Sequence, residues 1–140
     1  WGRVKADVYM PCATQNEIGL EDAKRMIEEG TSKLLIEVAN MPTKAEAVEE
    51  LQKAGFMIAP SKAVNAGGVA VSALEMSQNA MKLSWTEEEV DEKLKKIMKN
   101  IFNNIDSAAK KYGMDGNLIA GANIAGFLKV AEAMLNEGIF

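Results

Sequence analysis

Three short segments carry amides, hydroxyls and glycine where a packing loop would carry aliphatics. They are Pro11-Cys12-Ala13-Thr14-Gln15-Asn16-Glu17, Ala39-Asn40-Met41-Pro42 and Ser61-Lys62-Ala63-Val64-Asn65-Ala66-Gly67-Gly68. Asn and Gln present a donor and an acceptor together, which suits an amide-bearing ring or ribose hydroxyls. In any single segment Asn and Gly can simply make a turn. The recurrence of such a segment after each of three expected strands favours a ligand cleft, because open parallel sheets bind ligands at the carboxyl ends of their strands. Gly67-Gly68 would let the backbone come close to a ligand or another helix. The helix expected just beyond offers free N–H groups to a carboxylate or phosphate. Ser72 falls about one turn into that helix, on the side of Gly68 and Val69; the bland role for its hydroxyl is a bond to its own backbone.

Other chemistries lack their residues. The sequence has no histidine and one cysteine, so it offers no Cys–His or Ser–His pair and no convincing zinc set. Without a base nearby, Cys12 reads as a packed thiol rather than a nucleophile. Lys62, the only lysine in the candidate cleft, reads as solvent-facing or electrostatic. Gly121-Ala122-Asn123-Ile124-Ala125-Gly126 has phosphate-loop spacing, but Phe127-Leu128 follows where Lys and Ser/Thr are required. No GxGxxG follows the first expected strand. The net charge of -4 argues against nucleic acid. Lys93, Lys95, Lys96 and Lys99 follow Glu87, Glu88, Glu89, Asp91 and Glu92, the order a solvated helix favours. No apolar run approaching the ~20 residues of a membrane helix is expected. A lone cysteine suits a reducing, cytoplasmic compartment. The start, Trp1-Gly2-Arg3-Val4-Lys5, has no signal-peptide pattern and no initiator Met, and is read as the interior of a longer chain.

The elements that must position these segments follow from periodicity. Apolar residues make up 48% of the 140, ordinary for a globular protein. Residues 6–10 read as a strand ending at Pro11. Residues 20–29 read as a helix with Leu20, Ala23, Met26 and Ile27 on one face and Gly30 as its stop. Leu34-Leu35-Ile36 is an apolar run suited to a parallel strand covered on both faces. Residues 43–54 read as a helix with a Thr43/Glu46 capping box, and residues 56–59 as a third strand. The expected fold is α/β: a partial parallel sheet of about three strands with alternating helices, followed by a long helical segment. Helices are expected at 69–82, at 86–112 with a Thr86/Glu89 box, and at 117–135. The middle one buries Val90, Leu94, Ile97, Met98, Ile101, Ile105 and Ala108; the last, rich in Ala, Gly and Ile, is expected to be largely buried. Residues 1–64 would form the strand–helix half and residues 65–140 the helical segment packed on it.

The wording of the loops goes further. Pro11-Cys12-Ala13-Thr14-Gln15-Asn16-Glu17, Glu37-Val38-Ala39-Asn40-Met41-Pro42-Thr43 and Ser61-Lys62-Ala63-Val64-Asn65-Ala66-Gly67-Gly68-Val69 resemble the PCATQNE, EGANMPTT and GKAANAGGV segments of glutamate dehydrogenases of the hexameric bacterial type. Leu74-Glu75-Met76-Ser77-Gln78-Asn79, Ser84-Trp85-Thr86 and the Gly121–Phe127 stretch continue in register, so the resemblance covers essentially the whole chain. It implies the second half of a Rossmann-like cofactor domain plus C-terminal helices. It implies an enzyme that interconverts L-glutamate with 2-oxoglutarate and ammonia using NAD or NADP. It further implies that Ala13, Thr14 and Gln15 border the cofactor, that Asn40 and Asn65 reach the nicotinamide and its ribose, and that Val69 and Ser72 line the substrate pocket. The family's catalytic lysines and aspartate, and its glycine fingerprint, lie outside this sequence, so no catalytic residue is assigned and the chain alone is expected to be inactive. Val38 and Ser61 stand where the family has Gly, Val64 where it has Ala, and Lys44 where it has Thr. A left-handed φ at Val38 would displace the loop of Asn40. The alternative is a stand-alone structural or engineered scaffold domain without activity. In an isolated fragment, an unpaired strand edge and helices without the N-terminal domain they would cover predict self-association.

Overall fold

A computed structural model describes residues 1–138. Its elements are α1 (Leu20–Glu29), β1 (Leu34–Ile36), α2 (Ala45–Lys53), β2 (Met57–Ala59), α3 (Ser61–Val64), α4 (Ala66–Met81), α5 (Glu87–Lys111) and α6 (Leu118–Glu137). β1 and β2 run parallel with Leu35 opposite Ile58, and α2 makes the crossover between them.

The strand expected over 6–10 is reduced to a parallel bridge between Tyr9 and Leu35. The Tyr9 N–H donates to Leu34 O at 3.0 Å and the Ile36 N–H to Tyr9 O at 2.8 Å. Pro11 has no N–H with which to extend the ladder. Among the described residues no strand lies on the far side of this segment, and the described sheet therefore has two strands rather than three.

One face of the sheet is sealed. Leu35 and Ile58 pack with Ala23 and Met26 of α1, Ala47 and Leu51 of α2, and Tyr9, Ile18 and Phe56. Burying each large aliphatic contributes about 2 kcal/mol. Tyr9 meets the Trp1 ring edge-on and stacks on Phe56, both at 6.4 Å between centroids, and its hydroxyl donates to Glu29 Oε2 at 3.0 Å. The other face is covered less completely than the apolar run suggests. Leu34, Ile36, Met57 and Ala59 look toward α5 across a cleft of about 340 Å³, because α5 packs near Ile105 on Ala63 of α3 and Leu118 of α6 rather than on the strands.

The helix starts divide. The Thr86 N–H donates to Glu89 Oε2 at 2.8 Å and the Glu89 N–H to Thr86 Oγ1 at 3.2 Å, the expected box. The Thr43/Glu46 box does not form. Thr43 is bridged to Ile18, the Lys44 N–H donates to Ile18 O at 3.0 Å, and Lys44 becomes the N-cap of α2. That pairing turns the Thr43 hydroxyl inward, where it is buried without a hydrogen-bond partner.

The helical segment differs from expectation at both ends. α4 begins at Ala66, since Asn65 at φ -89° and ψ 4° carries the chain from α3 straight into it, and none of its residues is buried. α5 follows its expected stripe, with Ile105 and Ala108 buried and Val90, Leu94, Ile97, Met98 and Ile101 half-buried. α6 is not largely buried: only Leu118 and Gly121 are, while Phe127 and Leu135 are 69% and 78% exposed. The two helices meet most closely at Gly121, where an added Cβ would lie 2.1 Å from the Ile105 carbonyl oxygen. α6 also corrects the expectation about apolar runs. Its 20 residues, with a mean hydropathy of 1.5 in the most apolar stretch, are long and apolar enough to cross a membrane by length and composition. Its start is instead spent on packing against α5.

Candidate functional site

The three polar segments lie together at the carboxyl ends of Tyr9, β1 and β2, and the backbone sews them to one another. The Val38 and Ala39 N–H groups both donate to Pro11 O, at 3.1 and 2.9 Å, and the Asn16 N–H donates to Met41 O at 3.0 Å. The Asn65 side-chain Nδ2 donates to Asn40 Oδ1 at 2.6 Å, joining the second segment to the third. Asn40 is exposed and Asn65 half-buried. Among the described residues the pair leaves Asn40 Nδ2 and Asn65 Oδ1 without a protein partner. A free donor and a free acceptor on two bonded amides are the groups a carboxamide needs.

The left-handed backbone in this region falls on Asn16 (φ 57°) and Met41 (φ 46°), not on Val38. Val38 therefore carries none of the strain that a positive φ would impose. Ser61 accepts the Met41 N–H on Oγ at 3.4 Å and donates its own N–H to Glu37 Oε2 at 3.1 Å. Glu37 is buried.

Ala13, Thr14 and Gln15 are exposed on the first loop, where the Thr14 N–H donates to Glu17 Oε2 at 3.3 Å. Cys12 is exposed rather than packed, its thiol donating to Met10 O at 3.3 Å, because the loop runs over the surface beyond buried Pro11. Lys62 is exposed and its ammonium donates to Asn123 Oδ1 of α6. Val69 and Ser72 both stand exposed on α4. Counting from Asn65, they are four and seven residues along, which at helical pitch keeps all three within roughly 60° on one face. Ser72 Oγ donates to Gly68 O at 3.3 Å, the backbone bond typical of a helical serine. Gly67 has Leu94 and Met98 3.5 Å from where a Cβ would be, whereas the space beside Gly68 is open.

The apolar cleft between the sheet and α5 contains none of Ala13, Thr14, Gln15, Asn40, Asn65, Val69 and Ser72, and the 270 Å³ hollow, lined by Lys62 and Asn104, contains none of them either. Both lack the paired donor and acceptor of the loop cluster, so the chemistry belongs to the loops. Ser61, Glu37 and Asn123 escaped the assignment of site residues. Ser61 carried one signal, its place in the third polar segment.

A sequence profile of the glutamate/leucine/phenylalanine/valine dehydrogenases matches residues 1–138. The chain belongs to this dehydrogenase family. It is 55% identical over 140 residues to the NAD-specific glutamate dehydrogenase of Clostridium symbiosum, aligning 99% of the chain with 31% of that protein. To the NADP-specific glutamate dehydrogenase of Giardia intestinalis it is 55% identical over 132 residues, aligning 94% of the chain with 29% of that protein. A solved glutamate dehydrogenase structure superposes with a TM-score of 0.93 at 54% identity, covering 99% of the chain and 31% of the other. The chain thus spans about 30% of the length of the dehydrogenases it matches.

Proposed function

We propose that this chain is the C-terminal portion of a glutamate dehydrogenase of the hexameric bacterial type, and that its Rossmann-like edge forms one wall of the nicotinamide and substrate cleft. The reaction is the interconversion of L-glutamate with 2-oxoglutarate and ammonia with NAD or NADP. The observation that carries this reading is the Asn65–Asn40 amide pair, which joins two loops at one sheet edge and keeps a donor and an acceptor free. Ala13, Thr14 and Gln15 border the cofactor on the adjoining loop. Val69 and Ser72 continue from Asn65 along the exposed face of α4 toward the substrate, where the Ser72 hydroxyl can exchange its Gly68 carbonyl for a substrate carboxylate.

The residues present fit the nicotinamide end of the cofactor, and the open space beside Gly68 leaves room for it. When bound, the nicotinamide ring supplies the hydride acceptor. The chain's own residues orient: Asn40 and Asn65 fix the carboxamide, and Ser72 fixes the substrate's distal carboxylate. Orientation alone can supply several kcal/mol of barrier lowering, but no side chain in this cluster is an evident general base for the amine. The proton chemistry belongs to the rest of the parent enzyme.

The test is a chimera in which these residues replace the matching part of the Clostridium symbiosum enzyme, assayed for reductive amination of 2-oxoglutarate with ammonium. The chimera should turn over, Asn65→Ala should lower kcat/KM by roughly a hundredfold, as loss of a well-placed orienting group does, and the isolated chain should be inactive. A folded, hexameric chimera without activity, or turnover by the isolated chain, would overturn the reading.

A further inference from the structure

The amide pair that the proposed function relies on is held from behind by Ser61. Ser61 is the first residue of α3, and three of its atoms are engaged. Its N–H donates to the Glu37 carboxylate at 3.1 Å, its Oγ accepts the Met41 N–H at 3.4 Å, and its carbonyl accepts the Asn65 N–H at 2.9 Å. Asn40 precedes Met41 in the chain, and Asn65 lies one turn after Ser61. The side-chain bond from Asn65 Nδ2 to Asn40 Oδ1 at 2.6 Å then closes a ring that runs through Ser61.

Two features mark this ring as more than loop packing. Met41 is a non-glycine residue at φ 46°, a conformation that disfavours a side chain. Such a residue persists where its surroundings over-determine it, and such sites cluster at ligand clamps. Here the Ser61 hydroxyl holds the Met41 N–H while the Asn16 N–H holds its carbonyl at 3.0 Å. Glu37, in turn, is a buried carboxylate just past the end of β1, where burial demands a hydrogen-bond partner. Its backbone N–H is tied to Ala59 O at 3.1 Å, so its side chain is anchored to the sheet.

We propose that Ser61 and Glu37 are positioning residues: Glu37 anchors the start of α3, and the Ser61 hydroxyl locks the Met41 turn so that the Asn40–Asn65 pair presents its free donor and acceptor in one fixed orientation. The proposal rests on the reading of that pair as the nicotinamide's partners, and it touches neither cofactor nor substrate directly.

The test uses the 140-residue chain and NMR. The Met41 amide exchange rate and the side-chain amide signals of Asn40 and Asn65 are compared among wild type, S61A, S61T and E37Q without cofactor. S61A should speed Met41 exchange by twofold to about fivefold, up to the factor of one net hydrogen bond because at 3.4 Å this one is long, and should shift both side-chain signals, while amides of the Leu35–Ile58 core stay unchanged. S61T, which retains a hydroxyl, should restore wild-type rates. E37Q, which keeps an acceptor but loses the charge, should loosen the Ser61 amide first. Unchanged signals in S61A, equal loosening in S61A and S61T, or a uniform loosening that includes the core would overturn the lock. The functional reading is tested separately in the chimera by Asn65→Ala: a lock seen in the isolated chain together with an unchanged kcat/KM of that chimera variant counts against the functional reading alone.

Discussion

Replacing Gly121 by alanine places a methyl carbon 2.1 Å from the Ile105 carbonyl oxygen and 3.1 Å from the Ala109 Cβ. The first obstacle is backbone and cannot rotate away, so the start of α6 must lift off α5 by about an ångström or more. Overpacking of this kind typically costs 1–3 kcal/mol and more when the backbone must move. Alanine returns ~1 kcal/mol of helix propensity over glycine. The net expectation is a loss of about 2 kcal/mol, or a fall in Tm of roughly 6–10 °C for a chain of this size. Gly126 is the control within the same helix: it is exposed, nothing lies within 4 Å of its would-be Cβ, and Gly126→Ala should stabilise by up to ~1 kcal/mol. Thermal and urea unfolding followed by circular dichroism measure both. Lifting α6 should also break the Lys62–Asn123 bond, linking this packing to the third polar loop. If G121A proves as stable as G126A, the close α5–α6 approach is wrong, and so is the placement of α6 beside Lys62.

Three further outcomes follow from the same structure. Thr43→Val removes a buried hydroxyl that has no partner, so it should leave stability unchanged or raise it by about 1 kcal/mol in urea unfolding; a loss of 2 kcal/mol would mean that hydroxyl is bonded. For Asp22, burial pushes the pKa up, but the Gly19 N–H and the Arg25 guanidinium outweigh it and hold the carboxyl below its ordinary value of 3.8. A depressed carboxyl contributes stability above its unfolded pKa and loses it as pH falls through the folded one. The acid limb of the stability profile below that value should therefore flatten in Asp22→Asn, and an unchanged limb would remove this carboxylate from the account. The isolated chain should also self-associate through the exposed Val69, Met76, Phe127 and Leu135 on α4 and α6, read as a mass that rises with concentration in light scattering. A concentration-independent monomer would oppose it.

Local chemistry decided what was legible in the sequence. The α1 span, the β1 and β2 runs, the Thr86/Glu89 cap and the buried stripe of α5 each depend on neighbours within a few residues, so periodicity and capping rules suffice. The polar loops were equally legible, because turn-forming Asn and Gly following apolar runs mark the carboxyl ends of strands.

Tertiary contacts decided the rest. Pairing with Ile18 took Thr43 out of its capping role: the bridge turns its hydroxyl inward, and the N-cap position falls on Lys44, one residue later. Among the described residues Tyr9 is bridged to Leu35 alone, which leaves one bridge where a strand was expected. α6 is apolar enough to be buried, yet burial needs a surface to bury against, and only the first turn of α6 is buried, where Gly121 meets Ile105 and Ala109 near the end of α5. The Asn40–Asn65 bond and the Ser61 ring join residues some 25 positions apart. Residue types alone announce such groups as able to bond. Which of them meet is set by the distance between strand ends, a property of the folded sheet and not of any local stretch of chain.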